Sequence, residues 1–281
     1  MQTVHDIKPL RARVRAWRDE GHRIALVPTM GNLHDGHLSL VRRAREVAGR
    51  VVTSIFVNPL QFGPGEDYAA YPRTLEDDAV KLAESGVDLL FAPGVEQMYP
   101  QGREGHTRIE VPGLSDILCG ASLPGHFTGV ATVVNKLLNQ VQPDVAVFGE
   151  KDWQQLVVIR RMVRDLDMPV EIIGVPTCRE PDGLAMSSRN GYLSAAERQR
   201  APALYAALQD LAQRLREGDR DYAALEQEGR EALRRAGLEP EYVNILRADD
   251  LCPPQEDDKT LIILAAARLG RARLIDNLRI E

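Results

Sequence analysis

Residues 24–27 (IALV) form an unbroken apolar run of strand length, and Leu40, Val41, Ala44, Val47 and Ala48 then recur at helical spacing among arginines. Between them lies PTMGNLHDGH (28–37), which leaves room for a turn and nothing more. A strand, a tight turn and a helix in succession set the helix N-terminus at the strand's carboxyl end. The first N–H groups of a helix have no partner within it and carry partial positive charge, so this junction is suited to an anion such as phosphate. Gly31 and Gly36 would let the backbone come close to a ligand. His34 and His37, three apart on the first turn, would point the same way and could both donate to one anion. A helix cap is the plainer reading of such histidines. Half a metal site is another, but Cys and carboxylate ligands at zinc spacing are missing nearby.

The same alternation continues along the chain. Residues 4–18 read as a short amphipathic helix with Leu10, Val14 and Trp17 on one face. Residues 51–57 (VVTSIFV) have the composition of a buried strand and run into a Pro- and Gly-rich loop over 58–65. Thr74 followed by Asp77 suggests a helix cap, with Leu75, Ala79, Leu82 and Ala83 as the apolar face as far as Gly86. Strands are expected at 89–91, 145–148 and 172–175, and helices at about 130–138 and 154–164. Strands alternating with helices imply a parallel sheet with right-handed crossovers, whose ligands bind at the carboxyl ends of the strands. Past Pro176 the pattern changes. Ser194 and Glu197 form a capping box opening a helix with Leu204, Leu208, Leu211 and Leu215 in its seam, a second helix covers about 222–236, and strands follow near 242–246, 260–265 and 273–276. The expected fold class is α/β: a Rossmann-like parallel-sheet domain over 1–176, then a smaller α+β domain over 177–281.

Composition narrows the function classes. The 281 residues carry a formal net charge of −6, which argues against a basic nucleic-acid-binding surface. Three widely spaced cysteines, Cys119, Cys178 and Cys252, make no disulfide framework and fit a reducing compartment. The first eight residues lack the basic-then-apolar order of a signal peptide, and no apolar run reaches membrane-spanning length. The expectation is a cytoplasmic protein with neither nucleic-acid nor membrane partners.

Further residue sets could contact a ligand, at the strand ends or just past the boundary at Pro176. Gly149, Glu150, Lys151 and Asp152 directly follow a buried strand; the Gly permits close approach and the Lys can neutralise a phosphate. Met186, Ser187, Ser188 and Arg189 place two hydroxyls and a guanidinium together, a compact donor set for a triphosphate; a Ser-rich linker is the alternative. Gln61 and Gln155 lie on crevice-facing segments, where a neutral amide could read hydroxyls or a carboxylate. There is no Walker loop, no GxGxxG, no HExxH and no GxSxG.

A strand followed by HxGH is the signature of adenylyl-transferring enzymes. Paired with MSSRN (186–190), it resembles the two signatures of class I synthetase-like nucleotidyltransferases, with Arg189 at the last Lys of the second. Together, PTMGNLHDGH (28–37), NPLQFG (58–63), Glu66 and Asp67, YPRTLE (71–76), PGHFTGV (124–130), FGEKD (148–152), MSSRN (186–190) and ARLIDN (272–277) resemble the pantothenate synthetase family across the chain. The resemblance implies ATP-dependent joining of (R)-pantoate to β-alanine through a pantoyl-adenylate, releasing diphosphate and then AMP, on the way to coenzyme A. It further implies a homodimer formed through the first domain, with the smaller domain as lid. Carried onto this chain, Met30, Gly31, Asn32, Leu33, His34, Asp35, Gly36 and His37 would line the ATP site, with His37 as proton donor. Gly149, Glu150, Lys151, Asp152 and Cys178 would touch nucleotide, and Met186, Ser187, Ser188 and Arg189 would close over the triphosphate. Gln61 would bind pantoate and β-alanine, and Gln155 pantoate. Mg2+ is implied, with Asp77 and Asp78 as candidate ligands. Two positions depart from the family's usual pattern: Cys119 stands where Glu is usual, and Leu123 where Arg is usual.

Overall fold

The computed structural model describes residues 1–63, 68–102 and 104–281; Pro64, Gly65, Glu66 and Asp67, which include part of the loop and motif noted above, lie outside the described residues. The chain divides into two compact units, one of residues 1–150 and 155–176, the other of residues 151–154 and 177–281.

The first unit is built on six strands: β1 (Gln2–Val4), β2 (Ile24–Thr29), β3 (Arg50–Ile55), β4 (Leu89–Phe91), β5 (Val145–Gly149) and β6 (Glu171–Val175). They pair in the order β1-β4-β3-β2-β5-β6, every pair parallel. Residues 24–27 and 145–148 are fully buried, the condition of central strands covered on both faces. Helix α1 (Ile7–Asp19) buries Leu10, Val14 and Trp17, and α2 (Asp35–Val47) buries Leu40, Val41 and Ala44. Next come α3 (Leu75–Glu84) and the single turns α4 (Val95–Met98) and α5 (Cys119–Ser122). Helix α6 (His126–Val141) is buried on most of its faces, and α7 (Trp153–Asp165) precedes β6. β2 has neighbours reached by crossovers in opposite directions, β3 on one side and β5 on the other. The carboxyl ends of β2 and β5 therefore flank the point where strand order reverses, the ligand crevice of such sheets.

The second unit packs α9 (Ala203–Arg216) and α10 (Tyr222–Arg235) on an antiparallel sheet of β7 (Glu239–Arg247), β8 (Leu261–Leu269) and β9 (Ala272–Ile280), with β8 central. The capping box of Ser194 and Glu197 opens the separate short helix α8 (Ala195–Arg200), not the leucine-seamed one. Pro202 has no N–H to give and its ring crowds the preceding turn, so the helix stops and restarts there. The expected helix at residue 4 begins at Ile7, because residues 2–4 instead form the edge strand β1 along β4.

Candidate active site

The turn after β2 is held from below. Gly31 (φ 83°) and Asn32 (φ 51°) are both left-handed, which turns successive N–H groups to one side. The Asp78 carboxylate receives them: Asn32 N donates to Oδ2 and Leu33 N to Oδ1, both at 2.8 Å. Thr74 Oγ1 adds a third bond to Oδ2 at 3.0 Å, and Lys81 Nζ donates to the Leu33 carbonyl at 2.8 Å. A Cβ on Gly31 would lie 3.0 Å from Asp78 Oδ2, so glycine is needed for space as well as for φ. Thr74 thus spends its hydroxyl on Asp78 and does not cap α3, and Asp78 faces inward, fully buried, while Leu75 on the expected apolar face is exposed. Asp78 is therefore a poor magnesium ligand, since donors already occupy both of its oxygens. Asp77 is exposed on the first turn of α3. Among the described residues no cluster of three or more His, Cys, Asp or Glu could hold a metal ion.

Above this turn the two histidines cap α2. His34 is the N-cap; its Nδ1 accepts from Gly36 N at 3.2 Å, and His37 Nδ1 accepts from His34 N at 3.3 Å. The rings lie 4.1 Å apart, centre to centre. A ring that accepts at Nδ1 carries its proton at Nε2, so these bonds assign both imidazoles the tautomer that donates from Nε2. The helix cap and the candidate anion-donor pair are therefore the same residues. Asp35 is exposed and Met30 half-buried.

Gln61 ends a 3-10 turn (Pro59–Gln61) after β3. Its Nε2 lies 3.1 Å from Met30 Sδ, and its Oε1 accepts from Asn58 Nδ2 at 3.1 Å. Its carbonyl is 2.7 Å from His126 Nδ1. Asn58 is buried; its Nδ2 also donates to the Gly129 carbonyl and its Oδ1 accepts from Tyr99 Oη at 2.7 Å. Burial pushes the Tyr99 phenol up, which keeps it a donor. Gly129 of α6 touches the turn directly: a Cβ there would sit 2.3 Å from the Leu60 carbonyl and 2.7 Å from Gln61 N. Asn58, His126 and Gly129 were not singled out from the sequence as supports; their places in NPLQFG and PGHFTGV were the available signal. At the end of β5 a Cβ on Gly149 would meet open space, whereas the Glu150 carboxylate lies against Gly174 of β6. Gln155 is half-buried near the start of α7.

In the second unit, Lys151, Ala185, Ser187, Asn190 and Asp276 line one small cleft. Lys151 Nζ lies 3.7 Å from Asp152 Oδ1 and its side chain is mostly buried. Cys178 and Met186 face each other across a hairpin, Met186 N donating to the Cys178 carbonyl at 3.0 Å. Ser187 Oγ accepts from Arg189 N at 3.2 Å, opening the 3-10 turn Ser188–Tyr192, where Ser188 and Arg189 are half-buried.

The sequence matches the family described as pantoate-beta-alanine ligase over residues 2–279. A pantothenate synthetase of Thioalkalivibrio sulfidiphilus is 63% identical over 281 residues, covering all of this chain and 98% of the relative. One from Pseudomonas aeruginosa is 59% identical, again over the full chain and 99% of the relative. The crystal structure of pantothenate synthetase from Thermus thermophilus superposes with a TM-score of 0.92 at 52% identity, covering 99% of both chains. The Francisella tularensis pantoate-beta-alanine ligase, crystallised with beta-gamma ATP and beta-alanine, gives 0.83 at 35% identity, over 99% of this chain and 97% of that one.

Proposed function

The chain belongs to the pantoate-beta-alanine ligase family, and from that premise we propose that it condenses (R)-pantoate with β-alanine, using ATP, through a pantoyl-adenylate. The observation that carries the site assignment is the His34–His37 cap: two Nε2–H donors fixed at a helix N-terminus, at the reversal point of a parallel sheet. In the first step a pantoate carboxylate oxygen bonds to the α-phosphorus and the Pα–O–Pβ bond breaks, so diphosphate leaves. In the second, the β-alanine amine bonds to the acyl carbon, the acyl–O bond to AMP breaks, and the nitrogen loses its proton. No covalent bond to the protein is needed in either step.

A carboxylate approaching a polyphosphate must be aligned and its charge offset. His34 and His37 donate to the phosphates, with His37 the proton donor, and the 30–37 turn supplies backbone N–H groups. Gly149, Glu150, Lys151, Asp152, Cys178, Met186, Ser187, Ser188 and Arg189 complete the nucleotide contacts, Lys151 and Arg189 bringing the fixed positive charge. Gln61, oriented by Asn58, holds pantoate and β-alanine, and Gln155 holds pantoate. The second unit is the lid in this reading, because an acyl-adenylate needs shielding from water. Mg2+ is proposed to arrive with the ATP phosphates, because Asp78 is already committed to the turn beneath the histidines. A homodimer and a cytoplasmic location complete the proposal on the family resemblance; no described helix is long and apolar enough to cross a membrane.

The test is diphosphate release with ATP and Mg2+, first with pantoate alone and then with β-alanine added. A single-turnover burst that becomes steady turnover on adding β-alanine is the expected result. No release under either condition would sink the proposal, and steady turnover with pantoate alone would remove the amine acceptor from it.

A further inference from the structure

Strand β9 carries two adjacent polar residues, Asp276 and Asn277, that the steps above do not use although both are buried. Buried polar groups are costly without partners, so the destination of their hydrogen bonds is informative. Asp276 forms a bidentate pair with Arg179: Nη1 donates to Oδ2 at 2.6 Å and Nη2 to Oδ1 at 2.9 Å. Arg179 also donates to the carbonyls of Gly183 at 3.1 Å and Asn277 at 3.3 Å, and its guanidinium lies 3.6 Å from the centre of the Tyr205 ring. Arg179 stands in the hairpin closed by Glu180 N to the Leu184 carbonyl and Met186 N to the Cys178 carbonyl, with Arg179 bridging Ala185. Ser187 follows that hairpin directly, and Asn190 Nδ2 ties the next turn back to the Ala185 carbonyl. Asn277 makes a different connection, its Nδ2 donating to the Lys151 carbonyl at 2.9 Å.

We infer that Asp276 and Asn277 are positioning residues for the nucleotide step, joining the Lys151 backbone and the hairpin that leads to Ser187 and Arg189 to one rigid strand. Bidentate pairing fixes direction as well as distance, which one hydrogen bond to a flexible loop would not do. Asn277 reaches a main-chain atom, so it fixes where the Lys151 side chain starts without touching the ammonium. The inference rests on the reading of Lys151 and Ser187–Arg189 as nucleotide contacts, and it gives the ARLIDN motif a task in that reading.

The experiment uses the full chain as wild type, Asn277→Ala, Lys151→Ala and the double variant, with kcat/KM for ATP, KM for β-alanine and melting temperature measured for each. Asn277→Ala is expected to lower kcat/KM for ATP by about tenfold or more, since small misplacements of aligning groups are expensive in rate. KM for β-alanine at saturating ATP stays unchanged, and adding Asn277→Ala to Lys151→Ala costs nothing further in ATP kinetics, because the group being positioned is already gone. A purely structural brace predicts the opposite: the same fold-loss in both backgrounds, tracking melting temperature, and that result would overturn the inference. If Asn277→Ala does not fold, Arg179→Lys keeps the charge and loses the fork; a fall in kcat/KM for ATP with constant KM for β-alanine supports the inference, and unaltered ATP kinetics overturns it. An inactive wild type would bring down the functional reading and this inference together, whereas an active wild type with multiplicative variants removes this inference alone.

Discussion

Asp78 decides between two accounts of the same residue, a magnesium ligand or the anion that holds the turn beneath the histidines. Asp78→Asn keeps size and shape but replaces one carboxylate oxygen with an NH2 donor. Both oxygens face backbone N–H groups at 2.8 Å, so in either orientation one donor is turned against another. Losing a hydrogen bond to a charged acceptor and leaving a buried N–H unpaired costs about 2–4 kcal/mol. For a chain of this size that corresponds to a fall in melting temperature of about 3–7 °C. Activity falls further, because Gly31 and Asn32 are left-handed in order to present these N–H groups, and the turn sets where the His34 cap begins. The assay is thermal unfolding in a chelating buffer, with turnover measured across a magnesium titration. The turn account expects the melting temperature to drop without any metal present and turnover to stay low at all magnesium concentrations. Asp77→Asn, at an exposed position, should behave as wild type in both assays. An unchanged melting temperature in chelator, together with turnover restored by added magnesium, would refute the reasoning.

His37→Ala removes one proposed phosphate donor and half of the cap, and should cost about a hundredfold or more in turnover while circular dichroism stays native. Gly129→Ala would place a methyl group 2.3 Å from the Leu60 carbonyl. That contact is with backbone and cannot rotate away, so the expectation is destabilisation by about 1–3 kcal/mol or more and a KM for pantoate raised more than that for ATP; equal changes in both would count against Gln61 as the pantoate contact. Tyr99 keeps its proton in the folded state to higher pH than in the unfolded chain, whose phenol titrates at its ordinary value of 10.0. Stability should therefore decline as pH climbs past about 10, and the decline should be shallower in Tyr99→Phe when unfolding is followed across that range; identical slopes would argue against a buried, neutral phenol.

The elements legible in the sequence were those whose pattern is local. Residues 24–27, 51–57 and 145–148 are apolar runs too short for helices, and the periodicity of Leu10, Val14 and Trp17 locates the buried face of α1 correctly. What escaped was set by partners distant in the chain. Periodicity placed Leu75 inside and gave no reason for Asp78 to be there, because the two N–H groups that draw Asp78 inward lie 46 and 45 residues away. Strand β1 is three residues long and exists only because residues 89–91 offer an open edge. The break at Pro202 was readable, but every leucine of the seam lies beyond it, so the seam marks α9 and gives no sign that the capping box opens a separate helix. The candidate site divides the same way. His34 and His37 were legible as a candidate donor pair, whereas the hydrogen bonds that choose their tautomers, and the Asn58 amide that orients Gln61, appear only once the turns are built.

The distribution of charge among the candidate contacts has a consequence for how each unit would act on a polyphosphate. In the first unit the donors nearest the sheet's reversal point are neutral: imidazole Nε2–H groups, turn backbone and the Gln61 amide. Lys81, which reaches the turn after β2, donates to the Leu33 carbonyl. Among the candidate contacts the fixed positive charges, Lys151 and Arg189, both belong to the second unit. Neutral, pre-oriented dipoles select the geometry of a phosphate with little dependence on ionic strength, whereas side-chain cations supply the longer-ranged and salt-sensitive attraction. On the proposed site assignment, recognition of the nucleotide and neutralisation of its developing charge would fall to different parts of the chain. That division is why the position of Lys151, set by a main-chain bond to Asn277, should bear on rate more strongly than its distance in sequence from HDGH would suggest.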